Sequence, residues 1–211
     1  MSARETILAA LRQKERTLPH PPAWRSRRAF DNLADRFTAA LSNVGGEVIR
    51  AESLAAAVER LGEQLEALNA QKVVVNAEAP LTGLELPDRW PQISWHIAGQ
   101  SEGDLRQFCA GADVGLSSAD AALAETGTIV LTTGPGRSRL ATLLPTVHIA
   151  LVSTARLTTD IFTWTAGREG GLPANVVLVS GPSKSADIGQ TLAVGVHGPK
   201  RFMVILYEET V

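Results

Sequence analysis

Cysteine is nearly absent from this chain of 211 residues, which has only Cys109. A single thiol excludes an intrachain disulfide, and it cannot supply the four thiolates of a typical iron–sulfur cluster or of a multi-cysteine zinc site. Cys109 follows Leu105 and Phe108 on one predicted helix face, which favours a small core side chain over a nucleophile. The sequence therefore predicts that the chain carries no cofactor or redox centre of its own.

A dominant charge and a long apolar run are also missing. Lys and Arg number 20 against 22 Asp and Glu, a net charge of −2, so electrostatics gives no reason to expect nucleic acid or anionic lipid as a partner. No run approaches the roughly 20 apolar residues that cross a bilayer. The first residues also lack a continuous apolar signal region. We therefore expect a cytoplasmic protein without a nucleic-acid or membrane partner.

The sequence contains neither a Gly-x-Gly-x-x-Gly fingerprint after a strand nor a Walker loop. Direct dehydrogenase chemistry by this chain alone is therefore not expected. His96 lies between apolar residues, and no second ligand stands at metal-site spacing from it. We expect His96 to be a core or edge histidine, and we expect no metal site.

Residues 1–28 read as an N-terminal arm. Residues 3–17 are typical of a short amphipathic helix, and Pro19, Pro21 and Pro22 end it. The arm is locally basic and contains Trp24. Two interpretations stay open: Trp24 packs back on the domain from a solvated arm, or the arm docks onto an acidic partner.

From residue 29 to 211, helical and strand patterns alternate. Apolar residues at three- and four-residue spacing predict helices within 30–41 and 54–68. Runs typical of strands lie at 48–49, 72–76, 93–97, 113–116, 128–133, 145–152, 175–179 and 202–207. This order predicts an α/β domain with a mainly parallel sheet flanked by helices. Ligands in such sheets bind beyond the carboxyl ends of strands, so the loops after Leu116, Thr133 and Val179 are the informative ones.

The stretch from Ala112 to Thr133 organises the rest of the chain. Two apolar runs flank a small-residue segment that ends in Glu125-Thr126-Gly127, so a carboxylate is expected where a buried strand begins. The loop at 134–139 follows, with Arg137 and Arg139 among free backbone donors. Such a loop suits a carboxylate or phosphate.

Three segments carry a resemblance to a known family. They read ADVGLSSADAALAETGTIVL, LLPTVHIALV and GPSKSADIGQTLAVGVHGPKRFMVIL. Together they resemble the lactate-utilisation protein C family, also called the LUD domain, from about residue 40 to the C-terminus. The resemblance implies a fold similar to that of glucosamine-6-phosphate deaminase, ribose-5-phosphate isomerase and the coenzyme A transferases (the NagB/RpiA/CoA transferase-like fold). It also implies a role with two partner proteins, at least one of them an iron–sulfur protein, in oxidising L-lactate to pyruvate.

Glu125 is the first candidate site residue. The Glu-Thr-Gly segment is similar to the Glu-x-Gly motif around the nucleophilic glutamate of one coenzyme A transferase class. Beside the Arg137 loop, Glu125 is a candidate nucleophile, base or anion-paired binder. The alternative is that it caps free backbone amides at the turn.

A second group of candidates lies near the C-terminus. Ser183, Lys184, Ser185 and Asp187 follow a strand and Gly181-Pro182, a context that suits the start of a helix and the binding of an anion there. His197, held by Gly198 and Pro199, is either a general acid–base or a turn histidine.

Two functions follow: an accessory component of an iron–sulfur-dependent lactate-oxidation system that binds a partner or small anion, or an enzyme that uses Glu125 on a coenzyme A ester or sugar phosphate.

Overall fold

Six strands rich in Val, Ile and Leu form one sheet at the centre of the molecule. The computed structural model describes residues 2–13, 24–168, 173–186 and 192–209. The six strands are β1 (Glu47–Ala51), β2 (Lys72–Val75), β3 (Ser94–Ile97), β4 (Val114–Ser117), β7 (Val147–Ser153) and β12 (Arg201–Tyr207). Their order is β1-β12-β7-β4-β2-β3, and every pairing is parallel. The predicted α/β class with a mainly parallel sheet is confirmed.

A second sheet of four short strands is separate from the first. Its members are β5 (Ala121–Leu123), β6 (Thr128–Thr132), β8 (Leu157–Thr158) and β9 (Val176–Val179), in the order β8-β5-β6-β9. Strand β6 pairs antiparallel with both β5 and β9. The two apolar runs of the stretch from Ala112 to Thr133 therefore belong to different sheets. A hairpin of β10 (Lys184–Ala186) and β11 (Leu192–Val194) completes the described strands.

Seven α-helices lie within the described residues, two of them before β1. They are α1 (Ala3–Gln13), α2 (Leu33–Asn43), α3 (Leu54–Ala67), α4 (Leu86–Arg89), α5 (Leu105–Ala110), α6 (Arg139–Leu143) and α7 (Ile161–Ala166). Asn32 begins α2 because its side chain accepts from the amides of Ala34 and Asp35. Single 3-10 turns lie at Leu81–Gly83 and Thr154–Arg156. Among the described helices, none has the length and apolar character of a transmembrane segment.

Apolar side chains are buried on both faces of the parallel sheet. Helix α3 buries Leu61 and Leu65 against one face, together with Met203 and Ile205 of β12. Helix α2 and the second sheet cover the other face, where Phe37 is fully buried. Since both faces are covered, the carboxyl edge of the strands is the part of the sheet that can receive a ligand.

Candidate functional site

A cavity of about 410 Å³ lies at the carboxyl edge of the parallel sheet. Parallel strands bring their carboxyl ends to one edge, so residues that follow five different strands share this lining. We call it the edge cleft. It is lined by Ser53, Leu54, Ala55, Ala79, Pro80, Ser118, Ser153, Arg156, Tyr207, Glu208 and Glu209.

The edge cleft offers donors to an anion. The amides of Leu54 and Ala55 belong to the first turn of α3, where amides lack an acceptor within the helix, and the positive end of the helix dipole lies there. Arg156 is exposed, and within the ranges that the structure describes it forms no ion pair. These groups suit a carboxylate or phosphate.

Two carboxylates of the cleft wall are already engaged by neighbouring groups. Ser153 Oγ donates to Glu209 Oε2 at 2.5 Å. Glu208 accepts from Thr154 Oγ1 at 2.8 Å and pairs with Arg50 at 3.3 Å. Arg156 therefore remains the cation of the lining that is available to a ligand.

A half-buried carboxylate, Glu78, borders the edge cleft beyond β2. Its Oε1 accepts from the backbone amide of Ser118 at 2.9 Å. Burial raises the pKa of Glu78 above its ordinary value, although the Ser118 amide and the nearby charge of Arg137 oppose the rise. A carboxyl group at a cleft with a raised pKa is suited to proton transfer.

Arg137 is held beside Glu78 by Asp120. Arg137 Nη1 donates to Asp120 Oδ1 at 3.1 Å, and Asp120 Oδ2 accepts from the amide of Thr132 at 2.7 Å. The loop that carries Arg137 is fixed on the end of β2, since Ser138 N donates to Asn76 Oδ1 at 3.0 Å. The guanidinium predicted to bind an anion is therefore part of an internal charge network.

Glu125 lies away from Arg137, in the turn between β5 and β6. Its carboxylate pairs with Arg28 at 2.5 Å, and the side chain is 24% exposed. Arg36 Nη2 donates to the Glu125 carbonyl at 2.9 Å. The contacts of Glu125 thus tie the N-terminal arm and α2 to the second sheet, and the residue is not part of the edge cleft.

The prediction that a helix begins at Ser183 or Ser185 is wrong. Lys184–Ala186 is strand β10, and Ser185 pairs with Ala193 of β11. The backbone of this segment is held by pairing with other segments and not by a helix start. The Ser183 amide also donates to the Pro199 carbonyl at 2.9 Å. Asp187 lies outside the described residues.

The other predicted residues occupy exposed positions. Lys184 Nζ donates to the Val44 carbonyl at the end of α2 at 2.6 Å. Arg139 is the exposed first residue of α6, and His197 is exposed in the loop that follows β11. The structure brings Ser183 close to the His197 loop, where a Cβ on Gly198 would lie 3.2 Å from the Ser183 Cβ. It does not bring this pair to Glu125 by any described contact.

Sequence reasoning missed Glu78 and Arg156. Glu78 stands three residues after the buried run Val73–Val75, so the rule that ligands bind beyond strand ends was a sufficient reason to consider it. Arg156 follows β7 in the same way. Neither segment contains a recognisable motif, so pattern alone does not single out these two residues.

Ser117 and His148 form a fully buried pair next to the cleft residue Ser118. Ser117 Oγ lies 2.8 Å from His148 Nε2, and both residues are 0% exposed. Burial lowers the pKa of His148 to about 3. The ring is therefore neutral near pH 7, and its polar contact joins the last residue of β4 to the second residue of β7.

Comparison with known proteins identifies relatives over most of the chain. A family model described as LUD domain matches residues 34–207. The chain is 34% identical over 193 residues to Lactate utilization protein C of Exiguobacterium sp., covering 85% of this chain and 79% of that protein. It is 39% identical over 102 residues to an uncharacterized protein of Neisseria meningitidis serogroup B, covering 47% of this chain and 44% of the relative.

A solved structure shares the fold. The crystal structure of a DUF162 family protein from Deinococcus radiodurans aligns with a TM-score of 0.56 at 21% identity, covering 83% of this chain and 96% of that one. Of the curated relatives, the Neisseria protein and the Lactate utilization protein C of Halalkalibacterium halodurans are matched over less than half of their length, 44% and 45%.

Proposed function

Because the chain belongs to the LUD domain family, we propose that it is an accessory component of a lactate-utilisation system and binds a small anionic ligand in the edge cleft. The relatives named Lactate utilization protein C support the system. The observation that supports an anionic ligand is the edge cleft itself, which has Arg156 and the first turn of α3 on its wall.

The electrons of such a system move through other subunits in this proposal. Cys109 is the only cysteine, it is fully buried, and burial raises the pKa of its thiol to about 11. A thiol that resists deprotonation is a poor metal ligand. We therefore propose iron–sulfur proteins of lactate utilisation as the partners. Affinity capture of the tagged chain from lactate-grown cells should recover an iron–sulfur protein, and its absence from capture at low salt would count against this partner.

Binding of an anion in the edge cleft is tested by titration with L-lactate and pyruvate. Either anion should raise the melting temperature of the full chain, since a ligand that binds only the native state stabilises it by mass action. Arg156→Gln should weaken binding at least tenfold, because a charge-assisted hydrogen bond is lost. Arg106→Gln, which removes an exposed arginine of α5 that does not line the cleft, is the matched control. Equal affinity in both variants would contradict the site.

An enzyme acting on a coenzyme A ester or sugar phosphate is the second candidate. The observation that favours it is Glu78, a carboxyl group with raised pKa next to the cleft residue Ser118. Glu125, the base suggested by the motif, is paired with Arg28 instead. In an assay that detects turnover, Glu78→Gln should abolish it and Glu125→Gln should leave most of it. The reverse result would return the role to Glu125.

A further inference from the structure

Three cavities follow one side of α3 from its first turn to its last. The edge cleft includes Leu54 and Ala55. A second cavity of about 570 Å³ shares these two residues and continues to Trp90. Its lining is Leu54, Ala55, Val58, Glu59, Leu84, Arg89 and Trp90. A third, of about 400 Å³, shares Trp90 and includes Gly62, Leu65 and Glu66. Because neighbouring cavities share wall residues, we refer to this row of three cavities as the α3 groove.

The two ends of the α3 groove differ in chemistry. The edge cleft has the cation Arg156, hydroxyl groups and the amides of the first turn of α3 on its wall, beside the engaged carboxylates of Glu208 and Glu209. The second cavity has aliphatic side chains and the indole of Trp90 as most of its wall. Trp90 packs closely on α3, since a Cβ on Gly62 would lie 3.0 Å from its Cζ2 atom. A polar compartment that continues into an apolar one suits a ligand with a charged head and an apolar body.

The length of the groove exceeds that of lactate. Leu54 and Gly62 are eight positions apart on α3, which corresponds to about 12 Å at 1.5 Å per residue. A molecule with the size of lactate bound at the first turn of α3 would leave the Trp90 compartment unused. An aliphatic side chain of several methylene groups would extend into it.

We propose that the α3 groove binds 2-hydroxy acids with a long apolar side chain in preference to lactate itself. The carboxylate lies at Arg156 and the first turn of α3, and the side chain lies along Val58 and Leu84 toward Trp90. This rests on the proposed function, because the head group occupies the same edge cleft. The new element is that the apolar compartment selects 2-hydroxy acids by the length of their side chain.

The test is a titration of the full chain with L-lactate, 2-hydroxybutanoate, 2-hydroxyhexanoate and 2-hydroxyoctanoate. Affinity should rise about fourfold for each added methylene group, as expected for complete burial of a CH₂. Trp90→Ala should flatten this dependence. If all four acids bind equally, the inference fails and the proposed function stands. If none of them binds, both fail.

Tryptophan fluorescence gives a second readout that does not require Trp90→Ala to fold. The chain has four tryptophans, and Trp90 is the one that lines the groove. Binding of 2-hydroxyoctanoate should change the emission of wild type and of Trp95→Phe, but not of Trp90→Phe. Trp95 is the matched control because its ring lies 6.2 Å from that of Trp90 without lining these cavities. An emission change that persists in Trp90→Phe would overturn the proposal.

Discussion

At the scale of single residues, burial decides the protonation of two groups near the edge cleft. His148 is enclosed near the start of β7, and the ring of Phe202 packs against it with ring centroids 5.1 Å apart. Among the described contacts its Nδ1 has no hydrogen-bond partner. A second proton on this ring would be both desolvated and unpaired, so the native state excludes it.

His148 should therefore make the protein less stable in acid. Its native pKa of about 3 lies below the ordinary 6.5, so between these values the unfolded chain binds a proton that the native state does not. The free energy of unfolding should fall as the pH drops from 6.5 toward 3, by on the order of 5 kcal/mol in full. Urea unfolding at pH 7 and pH 4.5 measures the slope.

Two variants test whether His148 causes this dependence of the unfolding free energy on pH. His148→Leu should flatten it, and His197→Gln, at an exposed position, should keep it. The slopes are compared because His148→Leu also leaves Ser117 without its partner and lowers stability at every pH. A slope as steep in His148→Leu as in wild type would assign the acid sensitivity to other groups.

Glu78 should have the opposite effect on how the unfolding free energy depends on pH. Its pKa is raised above the ordinary 4.5, so the native state holds the proton more tightly than the unfolded chain. The contribution of Glu78 to stability is complete below 4.5 and is lost as the pH rises through the raised value. Glu78→Gln, which cannot ionise, should remove this loss, while the exposed Glu102→Gln should not. Arg137→Gln should move the loss to higher pH, because the cation that favours the carboxylate is gone.

The sequence was sufficient to nominate Arg137 but not its partner. Arginine in a glycine-rich loop after a strand suggests anion binding whether the anion is a ligand or a side chain. Asp120 stands 17 residues earlier, and only the return of the chain from β5 to β6 brings it to Arg137. Partner choice depends on tertiary structure, so the network with Glu78 could not be predicted from local pattern.

At the scale of elements, the strands with mostly apolar runs were predictable. Val147–Ser153 and Arg201–Tyr207 form the two longest strands near the centre of the sheet, because mostly apolar runs are stable when both faces of the sheet are covered. Thr128–Thr132 has the same pattern but belongs to the second sheet. Periodicity identifies a buried strand and carries no information about which sheet it joins.

The β5–β6 turn requires glycine where it meets α2. Gly127 has a φ of +64°, and a Cβ there would lie 2.2 Å from the Leu41 amide nitrogen. Gly127→Ala should cost at least about 2 kcal/mol, since the left-handed backbone alone costs roughly 1–2 kcal/mol and helix α2 must also move. Gly83→Ala, where nothing lies within 4 Å, is the control. Equal unfolding free energies in chemical denaturation would contradict the close approach.

At the scale of the whole molecule, the N-terminal arm contacts the side of the domain that carries the second sheet. The ring of Trp24 meets that of Phe162 on α7 at 4.4 Å between centroids, although Trp24 is 59% exposed. This contact agrees with the interpretation that Trp24 packs back on the domain. We propose residues 1–28 as an arm and 29–211 as the LUD domain, joined by the pair of Arg28 and Glu125.

The pair of Arg28 and Glu125 should couple arm and domain measurably. In a double-mutant cycle of Arg28→Gln and Glu125→Gln, the coupling energy should be about 0.5–1 kcal/mol at low salt and should shrink as salt screens it. The Arg60–Glu63 pair of α3, exposed at both ends (52% and 55%), should couple more weakly than Arg28 and Glu125, because solvent screens it more fully.

The same variants separate anchoring from ligand binding at Glu125. If Glu125 anchors the arm, Arg28→Gln and Glu125→Gln should both lower stability, and both should leave the affinity for L-lactate unchanged. Arg28 lies outside the edge cleft, so its variant reports on the arm alone. If Glu125→Gln weakens lactate binding while Arg28→Gln does not, the carboxylate serves the ligand and the anchoring role is wrong. Calorimetric titration of both variants with L-lactate distinguishes the two outcomes.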